Sequence, residues 1–163
     1  MKNLYFFLLL AFISASAQKP EINKILDDWH KAAAEANFKN YFGAMSDDAI
    51  YIGTDATENW HLDAFKAFSK PYFDKGKAWN FKALERNIYF SPDATIAWFD
   101  ELLDTHMKIC RGSGVLRKEK NGQWKIVHYV LSMTVPNDKV DDAIAIKAKI
   151  EDAYTEELRK RKK

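Results

Sequence analysis

Hydrophobic residues in the first half of the chain recur with the spacing of helices. From Pro20 onward they fall every three or four positions, as on one face of an amphipathic helix, at Ile22, Ile25, Leu26, Trp29, Ala33 and Ala36. Residues 37–45 are typical of a short second helix or turn, and residues 49–54 of a short strand. Over residues 59–73, helical spacing predicts a third helix, weakened near its end by Pro71 and marked by Trp60, Phe65, Phe68 and Tyr72.

The second half of the chain has the pattern of strands. Four segments are rich in aromatic and β-branched residues, namely 78–90, 94–106, 109–119 and 124–134. Turn-forming residues separate two pairs of them, at 91–93 and 121–122. Helices followed by a meander of long strands predict an α+β fold, with the helices on one face of a curved antiparallel sheet.

The last hairpin can be given a register. A two-residue type I′ turn at Asn121-Gly122 pairs Lys120 with Gln123, and further along it pairs Val115 with His128. One face then carries Trp124, Ile126, His128, Val130 and Ser132 beside Arg111, Ser113 and Val115. The other face is almost wholly apolar, with Val127, Tyr129, Leu131 and Met133 beside Cys110, Gly112, Gly114 and Leu116. We expect the first face to enclose a ligand pocket under the helices and the second to form a dimer contact; the reverse assignment stays open.

Both ends of the chain differ from this central domain. Residues 1–17 have a basic start, an apolar run and an A-x-A pattern, and so predict a secretory signal peptide and an exported protein, periplasmic or secreted. The apolar run is too short to span a membrane, and no other segment approaches that length. The predicted domain covers 18–138. Residues 139–163 predict an amphipathic helix with a basic tail, which docks on the domain or on a second subunit.

Charge and cysteine content exclude several classes of function. Without Lys2 and the five basic residues at 159–163, 19 basic residues face 23 acidic ones, so the domain is acidic and a nucleic-acid partner is not expected. Cys110 is the only cysteine, so no internal disulfide forms, and we expect it to be a small buried apolar residue. The four histidines lack the spacing of metal motifs, so no metal site is predicted.

Several motifs, in order, resemble the SnoaL-like branch of the nuclear transport factor 2-like (NTF2-like) superfamily. They are YIGTDATENW (51–60), AWFDELL (97–103), RGSGVL (111–116), GQWKIVHYVLS (122–132) and VPND (135–138). The resemblance covers roughly residues 20–138. It implies a cone in which a strongly bent antiparallel sheet wraps around three N-terminal helices, with a pocket at the open end. It also implies a pocket that holds an acid or a histidine, with no metal or organic cofactor. The superfamily includes isomerases, dehydratases, cyclases and hydrolases, so the resemblance leaves the activity open.

The adjacent acids Asp100 and Glu101 are the first candidates for chemistry. Neighbouring strand residues point to opposite faces, so one of these acids enters the interior. In an apolar pocket, the pKa of such an acid rises and it becomes suited to acid or base catalysis. The resemblance favours Glu101 for this position. The alternative is a purely structural ion pair between the inward acid and Arg111.

His128 is the second candidate, as an acid/base partner of Glu101 or as a hydrogen-bond donor to a ligand; the alternative is a core histidine with a structural role. Asp55 and Glu58 have capping-box spacing, so a structural role is expected for them. The predicted ligand-binding residues are Tyr51, Trp60, Trp79, Trp98, Asp100, Arg111, Ser113 and Ser132. Three functions remain: a homodimeric binding protein for a small hydrophobic molecule, a cofactor-independent isomerase, dehydratase or hydrolase, or a protein-interaction module that uses the sheet face.

Overall fold

Three helices precede or accompany the first strands. They are α1 (Lys2–Ala34), α2 (Phe38–Gly43) and α3 (Leu62–Asp74). The structure is a computed structural model that describes residues 2–161 of the chain, with side chains from residue 18. The predicted signal peptide therefore lies outside the residues whose side chains are described. Among the described residues, no helix is long and apolar enough to cross a membrane.

Six strands form one mixed sheet. They are β1 (Met45–Ile52), β2 (Asn59–His61), β3 (Lys82–Phe90), β4 (Ile96–Thr105), β5 (Lys108–Lys118) and β6 (Trp124–Met133). The strand order is β2-β1-β6-β5-β4-β3, and neighbouring strands are antiparallel except for the parallel pair β1–β6. The sheet is strongly bent and does not close. This architecture confirms the predicted α+β fold.

The inner face of the sheet packs against the helices. On β4, alternate side chains point inward and are buried, at Ala97, Phe99, Glu101, Leu103 and Thr105. The predicted stripe of α1 is buried at Ile22, Leu26, Trp29 and Ala33. The ring of Trp29 meets that of Tyr129 edge-on, with centroids 4.8 Å apart, and so joins the helix to the centre of the sheet.

The predicted orientation of the β5–β6 hairpin is wrong. The buried side chains are those of the apolar face, including Cys110, Leu116, Tyr129 and Leu131. The face with Arg111, Ser113, His128 and Ser132 is the outer one, and its side chains are half-buried or exposed. The physical reason is the free energy of desolvation. The face with fewer polar groups costs less free energy to remove from water, so it is the one that is buried.

A β-bulge explains why Trp124 and Ile126 do not share the outer face with His128. The pairing shifts by one residue after Leu116–Ile126, so Val127 is extra and His128 pairs with Val115. Trp124 and Ile126 therefore point inward, on the same side as Tyr129. The turn also differs from the prediction, because a three-residue loop, with Gly122 at φ +84°, connects Glu119 to Gln123.

The chain divides into two compact units, residues 1–133 and 134–163. The second unit contains a short 3₁₀ turn, Asn137–Lys139, and the helix α4 (Val140–Arg161). Ion pairs between residues four apart, such as Lys147–Glu151 at 3.1 Å, support α4 along its length. Lys162 and Lys163 of the predicted basic tail lie outside the described residues. Docking of this helix on the domain or on a second subunit stays a prediction.

Candidate functional site

An aromatic cavity of about 260 Å³ lies in the first unit. Several parts of the fold meet there: the end of β1 with the loop that leads to β2 and β2 itself, one side of α3, the segment that leads from α3 to β3, the β4–β5 turn and β6. Seven of the lining side chains are aromatic, and we call this space the aromatic cavity; its lining consists of Tyr51, Gly53, Thr54, Glu58, Trp60, Phe65, Phe68, Tyr72, Trp79, Phe81, His106, Met107 and Leu131.

The aromatic rings that line the cavity stack on one another. Tyr51 stacks on Phe65 with centroids 4.0 Å apart, and Trp60 stacks on Phe68 at 4.5 Å. The helical spacing of Phe65, Phe68 and Tyr72 places all three on the side of α3 that borders the cavity. Stacked rings have few free rotations, so this wall is largely formed before any ligand enters.

Two ionisable side chains, besides the tyrosines, line the aromatic cavity: Glu58 and His106. Glu58 Oε2 accepts a hydrogen bond from the backbone N–H of Asp55 at 3.1 Å, and the carboxylate lies against Gly53. A side chain at Gly53 would overlap it, with a Cβ only 2.1 Å from Oε2. The loop thus holds Glu58 in place at the cavity wall.

The charge of Glu58 affects the pKa of Tyr51. Burial, and after it the negative charge of Glu58, raise the pKa of Tyr51 well above its ordinary value. The phenol therefore stays neutral at physiological pH and keeps its proton as a possible hydrogen-bond donor to a ligand.

A buried ionic network lies at the centre of the sheet. Glu101 is 1% exposed, and its Oε1 lies 2.8 Å from His30 Nε2 and accepts a hydrogen bond from the Tyr129 hydroxyl at 3.2 Å. Arg86 Nε donates to Glu101 Oε2 at 2.8 Å, and Arg86 Nη1 donates to Asp27 at 2.8 Å. The ion-pair partner of Glu101 is therefore Arg86 on β3, not Arg111.

The network keeps Glu101 ionised. Burial alone would raise the pKa of its carboxyl, but the hydrogen bond from His30 and the charges of His30 and Arg86 outweigh burial and hold the pKa below its ordinary value. Glu101 does not line the aromatic cavity. These properties are those of a structural anion and not of an acid held ready to give up a proton to a ligand.

The sequence-predicted site residues fall into separate places. Tyr51, Trp60 and Trp79 line the aromatic cavity. Six others lie on the outer face of the sheet and do not line the aromatic cavity: Trp98, Asp100, Arg111, Ser113, His128 and Ser132. Glu101 and His128 point to opposite faces, so the predicted acid/base pair is not formed. These corrections follow from the reversed orientation of the β5–β6 hairpin, because β4 pairs with β5 and shares its outer face.

Sequence reasoning missed several cavity residues, and some carried a readable signal. Phe65 and Tyr72 belonged to the predicted helical pattern but were not named as ligand-binding residues. The helix-capping role assigned to Glu58 is wrong, because α3 begins only at Leu62; the bond from the Asp55 N–H to Glu58 closes a turn before β2 and brings Glu58 to the rings. His106 and Met107 reach the cavity from the β4–β5 turn, whose position the sequence left undefined.

Larger grooves lie elsewhere on the first unit. Two of them, with volumes of about 620 and 720 Å³, are lined mainly by charged and exposed residues and lack a wall of aromatic rings. Among the described residues, no group of three or more His, Cys, Asp or Glu side chains is placed to hold a metal ion. The aromatic cavity is therefore the best candidate for a small-molecule site, because it is concave, mostly apolar and lined by a few polar groups.

Comparison with solved structures gives the same fold in proteins of diverse description. An NTF2-like protein of unknown function from Pseudomonas putida matches with a TM-score of 0.63 and 15% identity, over 76% of this chain and 92% of that one. A protein from Parabacteroides distasonis called a "putative ketosteroid isomerase" matches with a TM-score of 0.57 and 19% identity, over 71% and 86%. The association domain of C. elegans CaMKII matches with a TM-score of 0.61 and 20% identity, over 73% and 98%.

At these identities the structural matches establish the fold alone. No curated protein matches the sequence significantly. The family model of the SnoaL-like domain matches residues 22–136, which is most of the chain. This match covers α1 from residue 22 onward, α2, α3 and all six strands, which contain the aromatic cavity and the ionic network. The chain therefore belongs to the SnoaL-like domain family and has the NTF2-like fold.

Proposed function

We propose that this protein binds a small, largely apolar molecule in the aromatic cavity. The observation that carries the proposal is the wall of seven aromatic side chains around about 260 Å³, with Glu58 and His106 as the polar groups that orient a ligand. Mostly apolar lining with a few convergent polar groups is typical of small-molecule sites. The volume suits a compact ligand, since pockets that bind drug-sized molecules measure roughly 300 Å³ or more.

A thermal-shift screen with a library of small aromatic and aliphatic molecules tests the proposal. A ligand that binds only the folded state raises the melting temperature, by about 5 °C or more when its concentration is about 100-fold above Kd. Tyr72 and Tyr89 offer a matched pair of variants, because both rings are nearly half exposed, at 48% and 47%. Tyr72 lines the cavity, whereas Tyr89 stacks on Trp98 outside it.

Tyr72→Ala should reduce the ligand-induced shift and Tyr89→Ala should preserve it. Both variants should melt close to the parent protein without ligand, because neither ring is buried. A library without a single stabilising ligand, or equal shifts in the two variants, would contradict the proposal.

The second candidate function is acid/base catalysis without a cofactor. The observation that favours it is that a carboxylate and an imidazole, Glu58 and His106, both line the aromatic cavity. Incubation of each stabilising ligand with the protein, followed by mass spectrometry and NMR of the small molecule, tests it. Turnover that disappears in Glu58→Gln and His106→Gln supports catalysis; an unchanged ligand supports binding alone.

We also propose that the protein is exported after removal of residues 1–17. Pro20 supports this, because within the long α1 it removes a backbone donor and crowds the preceding turn. After cleavage behind Ala17, Pro20 would lie in the first turn, where a proline is well tolerated. Intact-mass analysis of protein from the periplasm or the medium should find a chain that begins at Gln18. An uncleaved chain in the cytoplasm would contradict export.

A homodimer would use the outer face of the sheet. Trp98 is 45% exposed there, beside the half-buried Val115 and Val130. The acid Asp100 lies on β4 and the base Arg111 on β5, so a twofold axis through this face can set opposite charges against each other. Light scattering should give twice the chain mass, and Val130→Lys should give a folded monomer. A monomer in the parent protein would contradict the proposal.

A further inference from the structure

The aromatic cavity has an unbalanced negative charge. Its lining includes the carboxylate of Glu58 but no lysine or arginine, and the one imidazole in the lining, that of His106, forms no ion pair with Glu58. Within the part of the chain that the structure describes, no cationic side chain lies within 4 Å of that carboxylate, and its Oε1 has no hydrogen-bond partner. By contrast, Glu101 is paired with Arg86 and His30. Glu58 is thus a cavity-lining anion that the protein itself leaves without a cation.

The rings of the aromatic cavity also favour a positively charged ligand. An aromatic face carries partial negative charge and attracts a cation within about 6 Å of its centre, most strongly for tryptophan. Trp60, Phe68 and Tyr72 form a continuous row, with centroid separations of 4.5 and 5.6 Å. The phenol of Tyr51 is kept neutral by burial and by Glu58, so it adds no second negative charge.

The lining also includes apolar side chains. Phe65, Met107 and Leu131 carry no charge and offer a surface for hydrocarbon. A ligand that satisfies the whole lining therefore needs a positive group for Glu58 and the rings, together with an apolar group for these side chains. The volume of about 260 Å³ equals roughly nine water molecules, which limits the ligand to a small organic molecule.

We propose that the aromatic cavity selects small organic cations, namely amines or quaternary ammonium compounds with an apolar substituent. This inference rests on the proposed binding function and specifies its ligand class. A quaternary ammonium group fits well because its charge is spread over methyl groups that contact ring faces while the carboxylate balances the charge.

Pairs of probes with equal shape and different charge test the inference. Phenyltrimethylammonium is compared with tert-butylbenzene, and choline with 3,3-dimethylbutan-1-ol; within each pair a carbon replaces the charged nitrogen. Binding is measured by titration NMR or calorimetry at low and at high salt. The cation should bind about tenfold more tightly than its neutral partner, and added salt should reduce only the affinity of the cation.

Glu58→Gln removes the charge and keeps an oxygen that accepts the Asp55 N–H. It should weaken phenyltrimethylammonium binding about five- to tenfold and leave tert-butylbenzene within about twofold. Glu85→Gln is the matched control, because Glu85 is exposed on β3 and does not line the cavity. It should change neither affinity.

The outcomes separate this inference from the function on which it rests. If the neutral probes bind as tightly as the cations, or if Glu58→Gln has no effect, the cavity binds ligands but does not select cations, and the inference is wrong. If neither class of probe binds and no library ligand stabilises the protein, both the inference and the binding function are wrong.

Discussion

Glu101 is the one carboxylate buried in the core among the side chains from residue 18 to residue 161. An ion in such a place is tolerated only when partners replace the water it has lost. Arg86 lies directly across from Glu101 in the β3–β4 register, and His30 reaches the same carboxylate from α1. The network therefore joins a helix to two neighbouring strands by means of one side chain.

Glu101→Gln should lower the free energy of unfolding by about 3–5 kcal/mol, because it removes the buried counter-charge of the Arg86 guanidinium and leaves only the exposed Asp27. Asp100→Asn is the control at the next position. Asp100 lies on the outer face and bonds the amide of Asn87, so its replacement should cost less than about 0.5 kcal/mol. Urea unfolding at pH 7 measures both values. Equal costs for the two variants would show that the network adds no stability.

The lowered pKa of Glu101 also predicts a dependence of stability on pH. Because the folded pKa lies below that of the unfolded chain, about 4.3 for glutamate, the contribution is complete above that value. It is lost as the pH falls through the folded pKa. Urea unfolding between pH 7 and pH 3 should show a steeper loss in the parent protein than in Glu101→Gln.

Exposed acids with lowered pKa values, such as Asp48 and Asp93, remain in both proteins and do not affect this comparison. Parallel curves for the parent protein and Glu101→Gln would contradict the assigned ionisation of Glu101.

Gly112 makes room for this network on β5. A Cβ there would lie 2.4 Å from the Tyr129 hydroxyl and 2.9 Å from Glu101. Gly112→Ala should therefore destabilise the protein by about 1–3 kcal/mol through overpacking. Gly43→Ala is the control, because a Cβ at Gly43 meets nothing within 4 Å. Thermal unfolding of the two variants measures this difference. An unchanged melting temperature in Gly112→Ala would show that the neighbouring side chains move aside without loss of stability.

At the scale of elements, the β5–β6 hairpin shows how two local features cancel. A two-residue turn predicts the pair Val115–His128, and the structure has that pair. It arises differently, because the three-residue loop shifts the pairing by one residue and the bulge at Val127 shifts it back. The register far from the turn was therefore predicted correctly, whereas the side chains near the turn point the other way.

The corrected faces predict opposite effects for neighbouring residues of β6. Leu131→Lys places a cation in the core and should lower the free energy of unfolding by several kcal/mol, because the charge has no partner there. Val130→Lys, on the half-exposed outer face, should fold with less than half of that loss. Circular dichroism with urea unfolding checks both. A stable Leu131→Lys protein would contradict the assignment of faces.

At the scale of the molecule, the core that supports the cavity is confined to one unit. Among the residues whose side chains the structure describes, the buried hydrophobic core lies between Ile22 and Leu131. A chain that ends at Asn137 should therefore keep the far-ultraviolet spectrum of a folded α+β domain and melt within about 4 °C of the full chain, a shift of about 1 kcal/mol. Docking of α4 onto the domain would appear instead as a larger fall in melting temperature.

The sequence predicted the helices and strands whose patterns repeat over neighbouring residues. The spacing of Ile22, Leu26 and Trp29 predicted the buried stripe of α1, and the four strand segments overlap β3 to β6. β2 was missed, because its three residues precede a strong helical pattern and form a strand only by pairing with β1. The Arg86–Glu101 pair was missed, because the connection between the paired residues Phe90 and Ala97 has six residues and is longer than the turn predicted at 91–93.

The sequence by itself determined the class of fold, the family and the kinds of side chain available to a site, because periodicity and turn chemistry act between neighbouring residues. Only the tertiary structure decided which face of the sheet is buried, which cation pairs with Glu101, and that Glu58 and His106 meet the rings of α3. The bulge at Val127 decides the face on which Trp124 and Ile126 lie, and the other outcomes depend on contacts between segments far apart in the chain. A local pattern does not contain those contacts, and a bulge exchanges the faces of the residues on one side of it.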